Sequence, residues 1–249
     1  MLLTQTPPPT QYDLRFSIAG IPVRVHPLFW LIALLLGSSG ALVEIPIWIL
    51  VVFVSILVHE LGHALAFRRY GIQSHIVLHA MGGLTIPEST PWGTGWASVS
   101  PSPKQEIAIS LAGPFAGFLF AVFVMLIIVF TGGSLLTSRL FGFLPLPLTA
   151  IMPFGGTILS VFVTMLLWVN VFWGIFNLLP VFPLDGGQVT RNILVQYDPW
   201  DGARKSLWVS VIAGGVIAVV GLLLMKSVYI ALLFGLLAFQ SYQSLKIRY

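Results

Sequence analysis

The apolar residues of this chain are gathered into long blocks, six of which read as membrane-spanning helices. About 20 uncharged residues in helical form match the ~30 Å hydrocarbon core of a bilayer. The expected spans are a short one from Pro27 to Leu42, then Ile45 to Phe67, Glu106 to Phe130, Thr157 to Leu179, Leu207 to Met225 and Val228 to Leu245. Two segments break the pattern. Residues 16–25, FSIAGIPVRV, alternate and are rich in β-branched side chains, the signature of a strand. Residues 72–87, IQSHIVLHAMGGLTIP, read as two short strands with a bend at Gly82-Gly83. Such backbone is tolerated near a membrane only where protein buries it or water reaches it. The expected fold is an all-α polytopic membrane protein of about six transmembrane helices, with a small membrane-associated β-hairpin or sheet on the cytoplasmic side. Residues 1–15, with prolines at 7, 8 and 9, are expected to form a disordered lead, and residues 16–249 a single membrane-embedded domain with its core at 20–200.

Composition sharpens this picture. With 57% hydrophobic and only 8% charged residues, the chain cannot cover a soluble surface. It has no cysteine, so disulfides, thiolate metal ligands and a cysteine nucleophile are excluded. The net charge of +4 is explained by topology rather than by nucleic-acid binding. With the N-terminus in the cytoplasm, the inner loops hold Arg15, Arg24, Arg68, Arg69, Lys104, Arg191, Arg204, Lys205, Lys246 and Arg248, and the outer loops only Arg139 and Lys226. That bias places both termini inside. The first residues lack a basic region leading into an apolar one, so no cleaved signal peptide is expected.

The chemistry is concentrated in His59-Glu60-Leu61-Gly62-His63, an H-E-x-x-H motif within the second span. Positions i and i+4 share one helix face, so both imidazoles can reach one metal ion. Glu60 lies about 100° round the helix, placed to hold water without ligating the metal. The bland reading, two interfacial histidines beside a capping glutamate, leaves their position inside an apolar span unexplained. Catalytic zinc takes three protein ligands, and Asp185, in NLLPVFPLDGG just past the fourth span, is the candidate third. There the prolines end the helix, and the paired glycines are expected to let the backbone turn sharply. An ordinary Asp-Gly turn is the alternative. His75 and His79 alternate along the second strand segment and read as surface or interfacial polar residues rather than ligands.

HELGH in one apolar span and NLLPVFPLDGG after a later one resemble the site-2 protease family of intramembrane metalloproteases, over roughly residues 20–200. SLAGPFAG, from Ser110 to Gly117, also resembles a family motif, with Gly117 where many members carry asparagine. The likeness is to the six-span bacterial branch without an inserted PDZ domain or a C-terminal CBS module. It implies a multi-pass protein of the bacterial plasma membrane with one Zn2+ held by His59, His63 and Asp185. Glu60 then activates water, and Asn177 orients the scissile carbonyl or its oxyanion. Residues 77–86 correspond to a strand that holds unwound substrate by β-augmentation, with Val77, Gly82, Gly83, Leu84 and Ile86 at the substrate. The expected partners are a membrane-spanning protein substrate and the lipid bilayer, with no nucleic acid. The expected activity is cleavage of transmembrane or membrane-associated proteins near the cytoplasmic face. A metal-binding transporter or channel is the competing reading, but it predicts an internal repeat or paired broken helices, and the sequence has neither. A proteolytically silent scaffold would not need an intact ligand set and base.

Overall fold

A computed structural model describes residues 7–37, 41–88, 101–140 and 144–248. These form two compact units, one of residues 7–88 and 115–174, the other of residues 101–114 and 175–248. Two helices, α3 (Pro103–Phe130) and α4 (Gly156–Asn177), contribute to both.

The first unit opens with a four-stranded sheet. Strands β1 (Leu14–Ile18) and β2 (Ile21–Val25) form an antiparallel hairpin, so the single strand expected at 16–25 is two. Their turn is Ala19-Gly20, both with positive φ, 50° and 79°. Strand β2 runs parallel to β3 (Ser74–His79), and β3 antiparallel to β4 (Gly82–Pro87). The bend expected at Gly82-Gly83 falls instead at Ala80-Met81, two residues earlier, where His79 Nδ1 accepts the Met81 N–H at 3.3 Å. The buried face of the sheet, Val23, Val25, Ile76 and Leu78, packs against Phe29, Ile56, Leu57 and Ala64 of the helices that follow β2.

Residues 7–13 lie against this sheet. The Arg24 guanidinium donates to Asp13 Oδ2 at 3.2 Å and to the Pro7 carbonyl at 3.0 Å. The Thr10 hydroxyl donates to Asp13 Oδ1 at 2.7 Å, and this bond above all holds the Asp13 carboxyl down at about 2. Residues 7–13 are therefore tied to β2.

Helix α1 (Pro27–Gly37) has 11 residues, a length of about 16 Å, and residues 38–40 of the expected first span lie outside the described residues. Among the described residues, five helices are long and apolar enough to cross a membrane: α2 (Glu44–Arg69), α3, α4, α6 (Gly202–Leu223) and α7 (Val228–Arg248). The sheet nevertheless imposes an outward and a return path. Strand β2 leads directly into α1, β3 follows α2, and β2 and β3 are hydrogen-bonded neighbours. Arg68 in the last turn of α2 donates to the Ala19 carbonyl at 2.7 Å, and Trp48 near its start donates to the Ala33 carbonyl of α1 at 3.1 Å. Helix α2, at 26 residues, is about 39 Å long, and its start lies beside α1 while its end lies beside the β1–β2 turn.

The helical core of this unit joins Val51 of α2, Ala121, Val124 and Ile128 of α3, and Val163, Leu166 and Leu167 of α4. Asn170 of α4, almost fully buried, donates to Ser55 Oγ of α2 at 2.9 Å. An unexpected antiparallel hairpin, β5 (Ser134–Leu140) and β6 (Leu144–Ile151), adds Leu148 and Ala150 to the same core. The amides of Ala150 in β6 and of Met152 just after it donate to Thr164 Oγ1 and Ser160 Oγ of α4, each at 3.0 Å. Pro145 and Pro147 mask this strand in the sequence, since proline removes a ladder donor and is accommodated only at edges.

The second unit contains α6, α7 and an unexpected amphipathic helix, α5 (Asp185–Tyr197). Its core is Val181, Phe234 and Leu237, with Phe176, Leu179 and Leu184 packed around them.

The out-and-back path can be tested cleanly because the native chain has no cysteine. Single cysteines at the exposed positions Tyr12 and Glu88 are expected to react with a membrane-impermeant maleimide from one face, and one at the exposed Val43 from the other. Labelling of Tyr12→Cys and Glu88→Cys from opposite faces would break the sheet-based topology.

Candidate metal centre

The residues of the H-E-x-x-H motif are helical, as β-branched and leucine-rich sequence in a span requires, and all three ionisable side chains point inward. His59, Glu60 and His63 are each less than 9% exposed. One helical turn apart, the two imidazoles meet edge to face, centroids 4.8 Å apart at 79°, with their Nε2 atoms 3.2 Å apart. Two imidazole nitrogens on a tetrahedral zinc, each at about 2.0–2.1 Å, lie about 3.3 Å apart. The two nitrogens thus already stand at the separation zinc requires.

Glu60 is held by the sheet. The Thr85 hydroxyl of β4 donates to Glu60 Oε2 at 2.7 Å and lies 3.0 Å from the Glu60 carbonyl oxygen. Gly83 lies directly on the same carboxylate, where any Cβ would overlap Glu60 Cγ and Oε1. Gly82 serves a different need, having φ of +114° in the left-handed region.

The other expected residues are distributed as follows. Gly82, Gly83, Leu84 and Ile86 all lie in β4, which is the edge of its sheet among the described residues. Val77 does not share that edge. It lies in β3, flanked by β2 and β4, and is fully buried. His75 Nδ1 lies 3.6 Å from Glu88 Oε1, on the surface. His79 is buried, and burial, followed by the nearby His26 and Arg24, pushes its imidazole below the ordinary value. A neutral ring suits its role as acceptor in the Ala80-Met81 turn.

Asp185 and Asn177 belong to the second unit. Asn177 is the last residue of α4 and is buried, while Asp185 is the first residue of α5 and partly buried. A carboxylate in the first turn is favoured by the helix dipole. The glycines after it do not supply left-handed turn geometry, as the sequence suggested, since neither has positive φ. They permit close approach instead. A Cβ on Gly186 would overlap the Leu178 carbonyl, and one on Gly187 would come within 2.5 Å of Phe182 N. The segment after α4 is therefore packed backbone to backbone on the first turn of α5.

Sequence reasoning missed Thr85, which touches Glu60, and the steric role of Gly83. A lone threonine in a β-rich segment carries no signal of its own. Only the register of β4 against α2 reveals it.

Comparison with known proteins follows from this geometry. A family model for peptidase family M50 matches residues 47–220. A curated zinc metalloprotease of Methanocaldococcus jannaschii is 28% identical over 188 residues, covering 74% of this chain and 46% of that protein. A protein of Synechocystis sp. is 31% identical over 198 residues, covering 72% of this chain and 43% of its own length. The chain thus spans less than half the length of these curated relatives. A solved structure, the site-2 protease from Methanocaldococcus jannaschii, matches with a TM-score of 0.54 and 26% identity, over 94% of this chain and 95% of that one.

The close approach at Gly186 generates a test. Gly186→Ala is expected to lower stability by about 1–3 kcal/mol or more, because a backbone carbonyl must move to admit the methyl group. Gly215→Ala, in α6 with nothing within 4 Å of the added methyl, should be neutral or stabilising by up to about 1 kcal/mol. Thermal unfolding in detergent compares them, and equal effects would contradict the packing described.

Proposed function

The chain belongs to peptidase family M50, and on that footing we propose that it is an intramembrane zinc metalloendopeptidase. Its substrates are transmembrane or membrane-associated proteins, cut near the cytoplasmic face. The observation that carries this reading is the pair of buried imidazole nitrogens 3.2 Å apart, with the glutamate between them in sequence, in a helix long enough to cross the bilayer. A structural histidine pair has no use for that glutamate.

His59 and His63 would hold the zinc, with Asp185 as the third protein ligand. When bound, the ion would supply Lewis acidity, acidifying the attacking water and polarising the scissile carbonyl. Glu60 takes the proton from the attacking water and delivers it to the leaving amine as the C–N bond breaks. Asn177 donates its amide to the scissile carbonyl oxygen, a contact of a few kcal/mol where charge develops. The distribution of arginine and lysine supports the cytoplasmic placement of the site and both termini, in a bacterial plasma membrane.

A substrate helix must unwind before its peptide bonds can be attacked. The edge strand β4 then takes up the unwound segment by main-chain hydrogen bonding, with Gly82 to Ile86 alongside the base. The backbone contact is indifferent to side chains, so it tolerates varied sequences.

Two experiments test this reading. Glu60→Gln should retain one zinc per chain and lose cleavage by at least about 100-fold, whereas Asp185→Ala should lose both metal and cleavage, and Asp198→Ala and Asp201→Ala neither. Wild-type cleavage by Glu60→Gln, or full zinc in Asp185→Ala, removes the corresponding assignment. For the clamp, prolines placed one at a time along the substrate segment beside the scissile bond delete an amide donor. They should cut cleavage at alternate positions, and the matched alanines should be cleaved as the parent substrate. The clamp is refuted if a proline at every position of that segment is tolerated.

A further inference from the structure

Glu60 is positioned by two elements at once. Its backbone belongs to α2, but its carboxylate lies on β4, the strand proposed above to carry the substrate. Thr85 has a single hydroxyl proton, and the shorter of its two contacts is to Glu60 Oε2, 2.7 Å against 3.0 Å to the carbonyl oxygen. The second carboxylate oxygen, Oε1, lies where a side chain on residue 83 would stand, so only glycine at that position lets the strand close on the base. Trp173 stacks under the neighbouring turn, its ring 3.4 Å from where a Cβ on Gly82 would lie. The strand is therefore seated on the base by one hydrogen bond and one missing side chain.

We propose that Thr85 is a positioning residue for catalysis, fixing Oε2 of Glu60 so that Oε1 is the oxygen that accepts the proton, with Gly83 providing the space in which that oxygen works. A glutamate has three rotatable side-chain bonds, and a helix backbone alone does not select among their states. The Thr85 bond selects one. Because the same strand is the substrate-holding edge, the base is aligned to the element that carries the peptide and not only to its own helix. This inference rests on the peptidase reading for its catalytic consequence, but the Thr85–Glu60 bond itself does not.

The threonine variants separate a positioning role from a merely structural one. Valine is the closest isostere, keeping the β-branched shape and removing the hydroxyl, while serine keeps the hydroxyl and removes the methyl group. Thr85→Val is expected to lower kcat by about 10- to 100-fold, the cost of a reacting group misplaced by roughly 1 Å, with KM, zinc content and thermal stability near those of the wild type. Thr85→Ser should restore most of the lost rate. Were Thr85 only a strand-forming residue, valine would be the tolerated change and serine the damaging one, and that outcome overturns the proposal. Gly83→Ala should reproduce the kcat loss with the hydroxyl still present.

A readout independent of cleavage completes the test. In a thermal-stability cycle of wild type, Thr85→Val, Glu60→Ala and the double variant, the two substitutions are expected to be non-additive, as for groups in contact. Additive effects overturn the proposed bond even where cleavage is robust. Non-additivity in a wild type that cuts no membrane substrate leaves the bond standing and overturns the peptidase reading, and the catalytic role of Thr85 with it.

Discussion

Three ionisable side chains within five residues of one apolar helix are expensive to bury, and their cost is met by giving each a definite partner. The imidazoles of His59 and His63 turn toward one another at 3.2 Å, and the Glu60 carboxylate takes the Thr85 hydroxyl from the adjoining strand. The four-stranded sheet follows from the second of these demands. A helix neighbour brings side chains, not backbone, to a carboxylate, and the glycine-rich strand β4 can lie flat against Glu60 where a helix cannot. Strand β3 behind it is anchored by β2, and both are covered by α1 and α2.

The same sheet accounts for the path of the chain. Since β2 and β3 are neighbours on either side of α1 and α2, a short apolar helix has to be used with its connection to reach the start of α2. The polar lock between Asn170 and Ser55 ties α4 to α2 one turn before His59. In an apolar bundle, where burial alone distinguishes no partner, such a bond defines which faces meet.

Much of this was legible in the sequence, for physical reasons that can be named. The long helices announced themselves because a bilayer demands unbroken apolar length, and the metal-binding pair because i, i+4 spacing forces a shared face. Strand β6 was hidden by Pro145 and Pro147, and α5 by its small, polar first turn of Asp185, Gly186 and Gly187. The role of Gly83 was illegible for a different reason. A glycine required by close approach and one required by positive φ look alike until the neighbouring atoms are known, and Gly82 and Gly83 are one of each.

The central claim is that a zinc ion is shared by His59 and His63, and zinc K-edge X-ray absorption of the purified wild-type protein addresses it most directly. The account predicts one zinc per chain in a four-coordinate site, with two imidazole nitrogens at about 2.0–2.1 Å and the remaining ligands oxygen. A protein that purifies without zinc and takes up none, or one whose zinc shows no imidazole scattering, would contradict it.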